Sequence, residues 1–497
     1  MESAAEHSLH ELLRIRREKL QQLRDLGVEP YPYRFERTHH SKEILERFLQ
    51  LEASGEIVAA AGRIMALRLM GKSCFAHIQD ASGRIQIYVK MDVVGERGYQ
   101  IFKLLDIGDL IGVRGLVFKT HTGEISVRVN EFELLAKNLR PLPVVKEKEG
   151  QVFDAFTDKE SRYRRRYLDL IVNPEVRGVF EKRAKILIIL RRFLEEWGFL
   201  EVDTPILQPL YGGAAAEPFV TRHNVLERDF YLRIADELYL KRLIVGGFDR
   251  VYEIGKDFRN EGMDRFHNPE FNMLELYAAY EDYHFCMKLV EELIGGLAQE
   301  IGGSLRMTYE GKEYDLTPPW RRYTFFGLLN EAVGLDVRNL SDENLAKECA
   351  AAGLNLPVGG VGRGKMLDKL FGARVEPKLE GPCFVLDYPR ELSPLAKRHR
   401  SDPGLVERFE GFLAGHEFCN SFSELNDPLD QRARFEDQAK LRARGDLEAQ
   451  PLDEDFLTAL EIGMPPTAGL GIGVDRLVMF FTDQHSIRDV ILFPQMR

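Results

Sequence analysis

Between residues 251 and 277 an arginine, two aromatic rings and several carboxylates fall at alternate positions, the spacing that gathers side chains on one face of a pleated strand. By that parity Arg259, Glu261, Phe271, Glu275 and Tyr277 share a face, while Tyr252, Ile254, Phe258, Leu274 and Leu276 point into a core. A guanidinium grips phosphate, an aromatic ring stacks on a flat base and a carboxylate accepts from a cation. The face therefore suits a substrate that carries all three groups. Antiparallel sheets often wet one side, so a solvated polar face is the alternative. Phe271 and Tyr277, interleaved with the charges, weigh against it.

Other chemistry-bearing residues lie downstream. Glu410 and Glu417 stand seven residues apart, a spacing that a turn can close but that specifies no metal by itself. Asn420, Phe422 and Glu424 alternate onto one strand face and Glu417 has the other parity, so a bulge or bend is expected between Glu417 and Asn420. Two glycine-rich stretches imitate phosphate loops. Residues 359–365 read G-x-x-x-x-G-K, but Met366 stands where Ser or Thr must hold magnesium, and no apolar strand precedes. A flexible turn into a helix fits better. Residues 469–473 read G-x-G-x-G, with Val474 where a dinucleotide fingerprint needs its last glycine, and are expected to be a close-packed strand entering a helix. Arg476 would open that helix, beside the apolar run 477–481.

The elements that must position these residues belong to a chain of 497 residues, more than one hydrophobic core usually serves. Its 44% hydrophobic and 30% charged content is that of an ordinary globular protein. No apolar run approaches the ~20 residues of a membrane span, and the acidic start, Met1-Glu2-Ser3-Ala4-Ala5-Glu6-His7, lacks the features of a secretory signal. A cytoplasmic location is expected. Cys74, Cys286, Cys349, Cys383 and Cys419 are far apart and form no C-x-x-C pair, so they read as reduced core thiols. A net charge of -11 argues against indiscriminate coating of nucleic acid and leaves a specific RNA partner open, with basic clusters at residues 14–17 and 162–166.

Residues 8–26 have the periodicity of an amphipathic helix ending at Gly27. Short strand patterns follow at 57–64, 74–78, 84–88, 110–118 and 125–135, with turn signals at 80–83 and 121–123 and a helix over 99–105. They predict a small barrel of the OB-fold kind. A proline-rich and then charged stretch, 139–150, reads as a linker. Beyond it, helix patterns near 174–197, 282–301, 341–352 and 365–371 alternate with strands, as in an antiparallel sheet flanked by helices.

Phe258-Arg259-Asn260-Glu261 followed by His267-Asn268-Pro269-Glu270-Phe271 closely resembles motif 2 of the class II aminoacyl-tRNA synthetases. Residues 469–476 resemble their motif 3 and residues 199–205 their motif 1, all in family order. Within that class, residues 237–241 and 420–427 are similar to the lysine-specific, bacterial-type members, and the resemblance covers nearly the whole chain. It implies an α+β architecture: an N-terminal helix, OB-fold anticodon-binding domain and linker over 1–150, and a class II catalytic domain over 151–497. It also implies activation of lysine by ATP to lysyl-adenylate and transfer to the 3' end of tRNA(Lys). Mg2+ is then the expected cofactor and ATP a co-substrate. Lysine, ATP, tRNA(Lys) and a second copy of the chain, paired through motif 1, are the expected partners, with no membrane and no DNA.

The resemblance assigns roles residue by residue. Arg259 and Arg476 become the catalytic, phosphate-holding arginines; Glu261 receives the adenine amino group, Phe271 stacks on adenine, and His267 and Asn268 complete the ATP site. Lysine falls to Gly213, Glu237, Glu275, Tyr277, Asn420, Phe422 and Glu424, an anionic set suited to a substrate with two ammonium groups. Magnesium falls to Glu410 and Glu417, and the anticodon to Phe75, Gln86 and Glu131, where ordinary barrel packing is the alternative. Three positions depart from the pattern: Phe266 in place of a frequent arginine, with Arg265 adjacent as a substitute; Ser421 in place of glycine; and Asp236 in place of a frequent proline. The rivals are a synthetase for aspartate or asparagine, which needs a basic residue where Glu424 stands, and a non-catalytic RNA-binding or regulatory paralogue.

Overall fold

The computed structural model describes residues 2–143, 146–148, 151–153, 156–354, 362–443 and 448–496, with backbone alone over 2–8, 146–148 and 151–153. Residues 355–361, which include the first three positions of the rejected phosphate loop, lie outside the described residues, as do Met1, Glu149 and Gly150. The chain divides into two compact units, Met1–Arg162 with Tyr167–Asn173, and Tyr163–Arg166 with Pro174–Arg497.

The first unit opens with helix α1 (Glu2–Asp25), which ends where Gly27 takes a positive φ of 73°, and Leu23 from its last turn is fully buried. Strands β1 (Ile57–Met70), β2 (Ser73–Gln79), β3 (Arg84–Lys90), β4 (Leu110–Lys119) and β5 (Ile125–Ala136) close into a barrel in the order β1-β2-β3-β5-β4. The β3–β5 pair is parallel and the others antiparallel. Alternation fills the interior, with Cys74, Ala76, Ile78, Ile85, Ile87 and Val89 all buried. Helix α2 (Met91–Lys103) starts eight residues before the expected 99–105 and packs Tyr99 and Phe102 into the same core.

The second unit is built on an eight-stranded sheet. Its strands are β6 (Leu200–Glu201), β7 (Arg250–Phe258), β8 (Glu270–Ala279), β9 (Arg321–Thr324), β10 (Cys383–Leu386), β11 (Arg408–Leu413), β12 (His416–Ser423) and β13 (Thr467–Gly473), in the order β9-β10-β11-β12-β13-β8-β7-β6. The inner pairs are antiparallel and only the edge pairs β9–β10 and β7–β6 are parallel. Four helices pack on this sheet near its central strands: α3 (Glu175–Glu196), α4 (Glu237–Val245), α5 (Tyr283–Gly302) and α6 (Val474–Thr482). α3, α5 and α6 cover one face of the sheet, where Tyr252, Leu274, Leu276, Leu470 and Ile472 meet Leu190, Leu293 and Leu477 in the main core. Every strand residue of the other parity is thereby pushed to the opposite face. The five cysteines are free and buried, and no described helix is long and apolar enough to cross a membrane.

Candidate active site

The face of the sheet left by those helices is the floor of a cleft of about 750 Å³. Register, rather than proximity in sequence, assembles it. One row across the sheet runs Glu410, Asn420, Gly471, Glu275 and Glu253, and the next runs Arg408, Phe422, Gly469, Tyr277 and Val251. The expected irregularity before Asn420 is a bulge at Phe418: Gly411 pairs with Cys419 and Phe412 with Glu417. The extra residue restores Glu417 to the face of Glu410, which strict alternation would have denied it.

The bare backbone of β13 makes room for the larger groups. A Cβ on Gly469 would stand 1.9 Å from Glu424 Oε1 and 2.6 Å from Tyr277 Cε1, and one on Gly471 3.2 Å from Met273 Cε. No side chain fits at Gly469, so the glycine run that imitated a nucleotide fingerprint serves close approach by its neighbours. Gly213 has a φ of 90°, and its Cβ would meet those of Ala235 and Glu237 at 3.0 Å.

At one end of the cleft, the Arg259 guanidinium lies 5.1 Å over the Phe271 ring, and the residue is tied back by its N–H to the Pro269 carbonyl at 3.0 Å. His267 is held by Asp264 at 2.8 Å through Nδ1, and its Nε2 lies 3.4 Å from an Arg476 nitrogen. Arg476, in the first turn of α6, donates to the Glu417 carbonyl at 2.5 Å and to its carboxylate at 3.2 Å. Asn268 is buried and donates to the Glu270 carbonyl at 2.6 Å, while its Oδ1 has no partner. Glu261 is exposed at the cleft rim. Glu410 accepts from Arg408 at 2.6 Å and from the Tyr388 hydroxyl at 2.7 Å, and burial pushes its carboxyl up to about 8. Arg408 also donates to Asn420 Oδ1 at 2.9 Å.

The other end is a buried pocket of carboxylates answered by two cations. Glu424 and Lys241 are 1% and 0% exposed, and the Lys241 ammonium pairs with both Glu424 and Glu237. Tyr277 donates to Glu275 at 3.3 Å. Burial pushes the Glu275 carboxyl up to about 8, and the Asp257 and Glu237 charges add to the shift. Beneath it Arg233, also buried, pairs with Asp236 at 2.8 Å, Glu253 at 2.6 Å and Asp257 at 3.4 Å. Desolvation beside Asp257 and Glu275 raises the Asp236 carboxyl to about 10.

All the sequence-predicted ATP, lysine and metal residues thus meet in one cleft, which they line together. The departures resolve differently. Arg265 pairs with Glu310 and the His485 carbonyl and is not among the residues lining the cleft, while Phe266 packs its ring, tilted, on His416 with centroids 4.0 Å apart. Ser421 faces the core and donates to the Gly469 carbonyl at 2.6 Å. Asp236 sits under the cleft against Arg233. Sequence reasoning missed Arg233, Lys241, Glu253, Asp257, Tyr388 and Arg408. Two were legible: Lys241 follows Glu237 by one helical turn, and Arg408 shares the parity of Glu410.

In the barrel, Phe75 packs against Tyr88 with tilted rings 4.7 Å apart, with Phe118 and Arg128 continuing the outer surface. Glu131 is exposed. Gln86 is 9% exposed and engaged at both ends of its amide, donating to Glu124 and accepting from Ser126, each at 2.7 Å.

Residues 158–497 match the family described as tRNA synthetases class II (D, K and N). The chain belongs to that family. Residues 58–135 match the OB-fold nucleic acid binding domain. The chain is 55% identical over 491 residues to a lysine-tRNA ligase of Thermoanaerobacter sp. (strain X514), covering 98% of this chain and 96% of that one. It is 54% identical over 490 residues to one from Carboxydothermus hydrogenoformans, covering 98% of each. The enzyme of the same name from Pelotomaculum thermopropionicum is 54% identical over 497 residues, 100% of this chain and 96% of the relative.

Proposed function

We propose that this chain is a lysine-tRNA ligase, which condenses lysine with ATP to lysyl-adenylate and pyrophosphate and then passes the lysyl group to the terminal ribose of tRNA(Lys). The observation that carries the reading is the buried carboxylate Glu424, whose Oε1 has no hydrogen-bond partner and lies against the side-chain-free surface of Gly469, lining the cleft. An unpartnered buried carboxylate oxygen calls for a cation. Glu424 and Tyr277 then take the side-chain ammonium of lysine and Phe422 packs on its methylenes, while Glu237 and Glu275, with Gly213 beside them, lie toward the amino groups. Arg259 and Asn420 take the carboxylate. An aspartate or asparagine substrate would leave these carboxylates unmatched.

The lysine carboxylate attacks the α-phosphate of ATP, so no protein nucleophile is needed. Arg259 aligns carboxylate and phosphate and, with Arg476, stabilises the charge that develops. Phe271 stacks on adenine, Glu261 receives its amino group, and His267 and Asn268 support the phosphate end. Magnesium fits the donor set: Glu410 and Glu417 are hard oxygen ligands on one face of the sheet, beside Arg476. Among the described residues no group of three or more His, Cys, Asp or Glu is disposed to hold a metal, so an ion here would share phosphate oxygens of the nucleotide. When bound it neutralises phosphate charge.

The barrel reads the anticodon through Phe75, Gln86 and Glu131, a role supported by stacking-competent rings on its outer surface. A homodimer is supported by exposed Ile188, Leu200, Leu207, Val220, Val225 and Leu226 around motif 1. Sedimentation that finds a stable, active monomer overturns the dimer. The activity is tested by amino-acid-dependent ATP-pyrophosphate exchange with lysine, aspartate, asparagine and arginine. Exchange with lysine alone is expected; exchange with another amino acid replaces the pocket assignment, and none at all favours a non-catalytic paralogue.

A further inference from the structure

Beside Glu424 stands a cation for which substrate contacts alone give no reason. Lys241 is fully buried on α4, one helical turn after Glu237, and its ammonium pairs with Glu237 and Glu424 together. It lies 5.4 Å from the Phe422 ring and 5.9 Å from that of Phe456, so its methylenes and charge are both enclosed. A buried ammonium is costly to keep, and replacing a buried ion pair by apolar packing is often neutral or favourable. Mere filling of space therefore does not account for it. Its position does, because it meets the carboxylate that faces the substrate at Oε2, while Oε1, against Gly469, has no hydrogen-bond partner.

We propose that Lys241 is a positioning and specificity residue of the amino-acid pocket: its ammonium holds Glu424 turned so that one carboxylate edge is offered to the ammonium of the substrate side chain. The inference rests on the lysine-ligase reading. Helix geometry supplies the tether, since residues four apart share a helix face and α4 is itself packed on the sheet. The charge balance supplies the reason. Glu237 and Glu424, when ionised, together exceed the charge of the one ammonium paired with both, so anionic character is left for a substrate ammonium.

The groups that face Glu424 act in opposite directions. Burial pushes its carboxyl well above the usual range, the Lys241 ammonium opposes that, and the charges of Glu237 and Glu275 add to the rise. Tyr277 from β8 shares the pocket, Asp236 lies near that hydroxyl, and Arg408 from β11 acts on Glu237. Lys241 is the cation in contact with Glu424 itself. Without it no contacting cation opposes the effect of burial, the protonated carboxyl is favoured further, and a neutral carboxyl distinguishes an ammonium from a methyl group far less well.

Lys241→Met keeps the length and bulk of the side chain and removes its charge. In ATP-pyrophosphate exchange the KM for lysine is expected to rise on the order of a hundredfold, as when one partner of a buried pair is removed, while the KM for ATP changes less than about twofold. The variant's lysine KM should fall as pH rises, and more steeply than that of the unaltered protein, because deprotonating Glu424 restores the charge. Preference for lysine over norleucine should shrink in parallel. Should this variant not fold, Lys241→Gln carries the same expectations. A lysine KM and pH profile matching the unaltered protein sink the role of Lys241 while leaving the lysine reading standing. Equal rises in the KM for ATP and for lysine, with no pH dependence, reduce Lys241 to a structural part and sink it likewise. Failure of the unaltered protein to exchange with lysine removes the premise and the inference together.

Discussion

The barrel and the catalytic sheet solve opposite problems with the same strand periodicity. In the barrel the inner face is wholly apolar and the candidate recognition groups stand on the outer surface: Phe75 and Tyr88 are half-buried and Glu131 is exposed. Phe75 and Glu131 can be changed with little consequence for their neighbours; Gln86, bonded to Glu124 and Ser126, is the exception. In the catalytic sheet one face is the main core and the other carries Glu253, Asp257, Glu275, Arg408 and Glu410, joined by Arg233, Lys241 and Glu424, most of them buried. Buried charges need compensation, so each partner matters to several others. The contrast teaches where effects should stay local and where they should spread.

The largest effect should come from the charge-dense cleft. Arg259→Ala is expected to lower lysine-dependent pyrophosphate exchange by a factor of about a thousand, the upper range for losing one preorganised donor to a developing charge. Binding of tRNA, measured by filter retention, should be unchanged. Near-normal exchange would remove Arg259 from the chemistry and blunt the contrast. Next, Gly469→Ala would force a methyl into the space of Glu424 and Tyr277. It should raise the lysine KM by about a factor of ten or more and lower unfolding free energy by about 1–3 kcal/mol, read by denaturant titration. An unperturbed variant would show that the pocket is loosely packed.

A smaller and cleaner effect belongs to the barrel. Phe75→Ala should weaken tRNA binding by roughly tenfold, as loss of one stacked base would, with lysine-dependent pyrophosphate exchange and melting temperature unmoved. Exchange that falls in step with binding would break the separation of the two regions. The smallest effect concerns pH. The Glu275 carboxyl is raised from 4.5 to about 8 by burial, so its folded pKa exceeds its unfolded one. Such a group contributes stability fully below its unfolded pKa and loses it as pH rises through the folded pKa. Glu275→Gln should therefore melt higher than the parent chain at about pH 8.5, with the gap closing toward about pH 5. Identical melting curves for parent and variant across that range would show that Glu275 is solvated.

Much of both regions was legible in the chain. Strand alternation sorted Tyr252, Leu274 and Leu276 from Phe271, Glu275 and Tyr277 correctly, and the parity conflict between Glu417 and Asn420 anticipated the bulge at Phe418. Those are local relations, carried by a period of two. What was not legible lies across strands. Gly469 sits beside Tyr277 and Phe422 only because β13 runs between β8 and β12, and nothing within residues 467–473 announces those neighbours. Arg265 lay next to the gap at Phe266 in sequence and turns instead toward Glu310.

Residue types and their spacing determined by themselves which strands form, which parity faces the core and which motifs carry the family's chemistry, because these follow from backbone geometry and side-chain polarity alone. The tertiary structure decided which carboxylates are desolvated and which cations answer them. Whether Glu424 meets Lys241 depends on where a helix packs against a sheet, and the charge a buried group keeps depends on that contact rather than on its place in the chain.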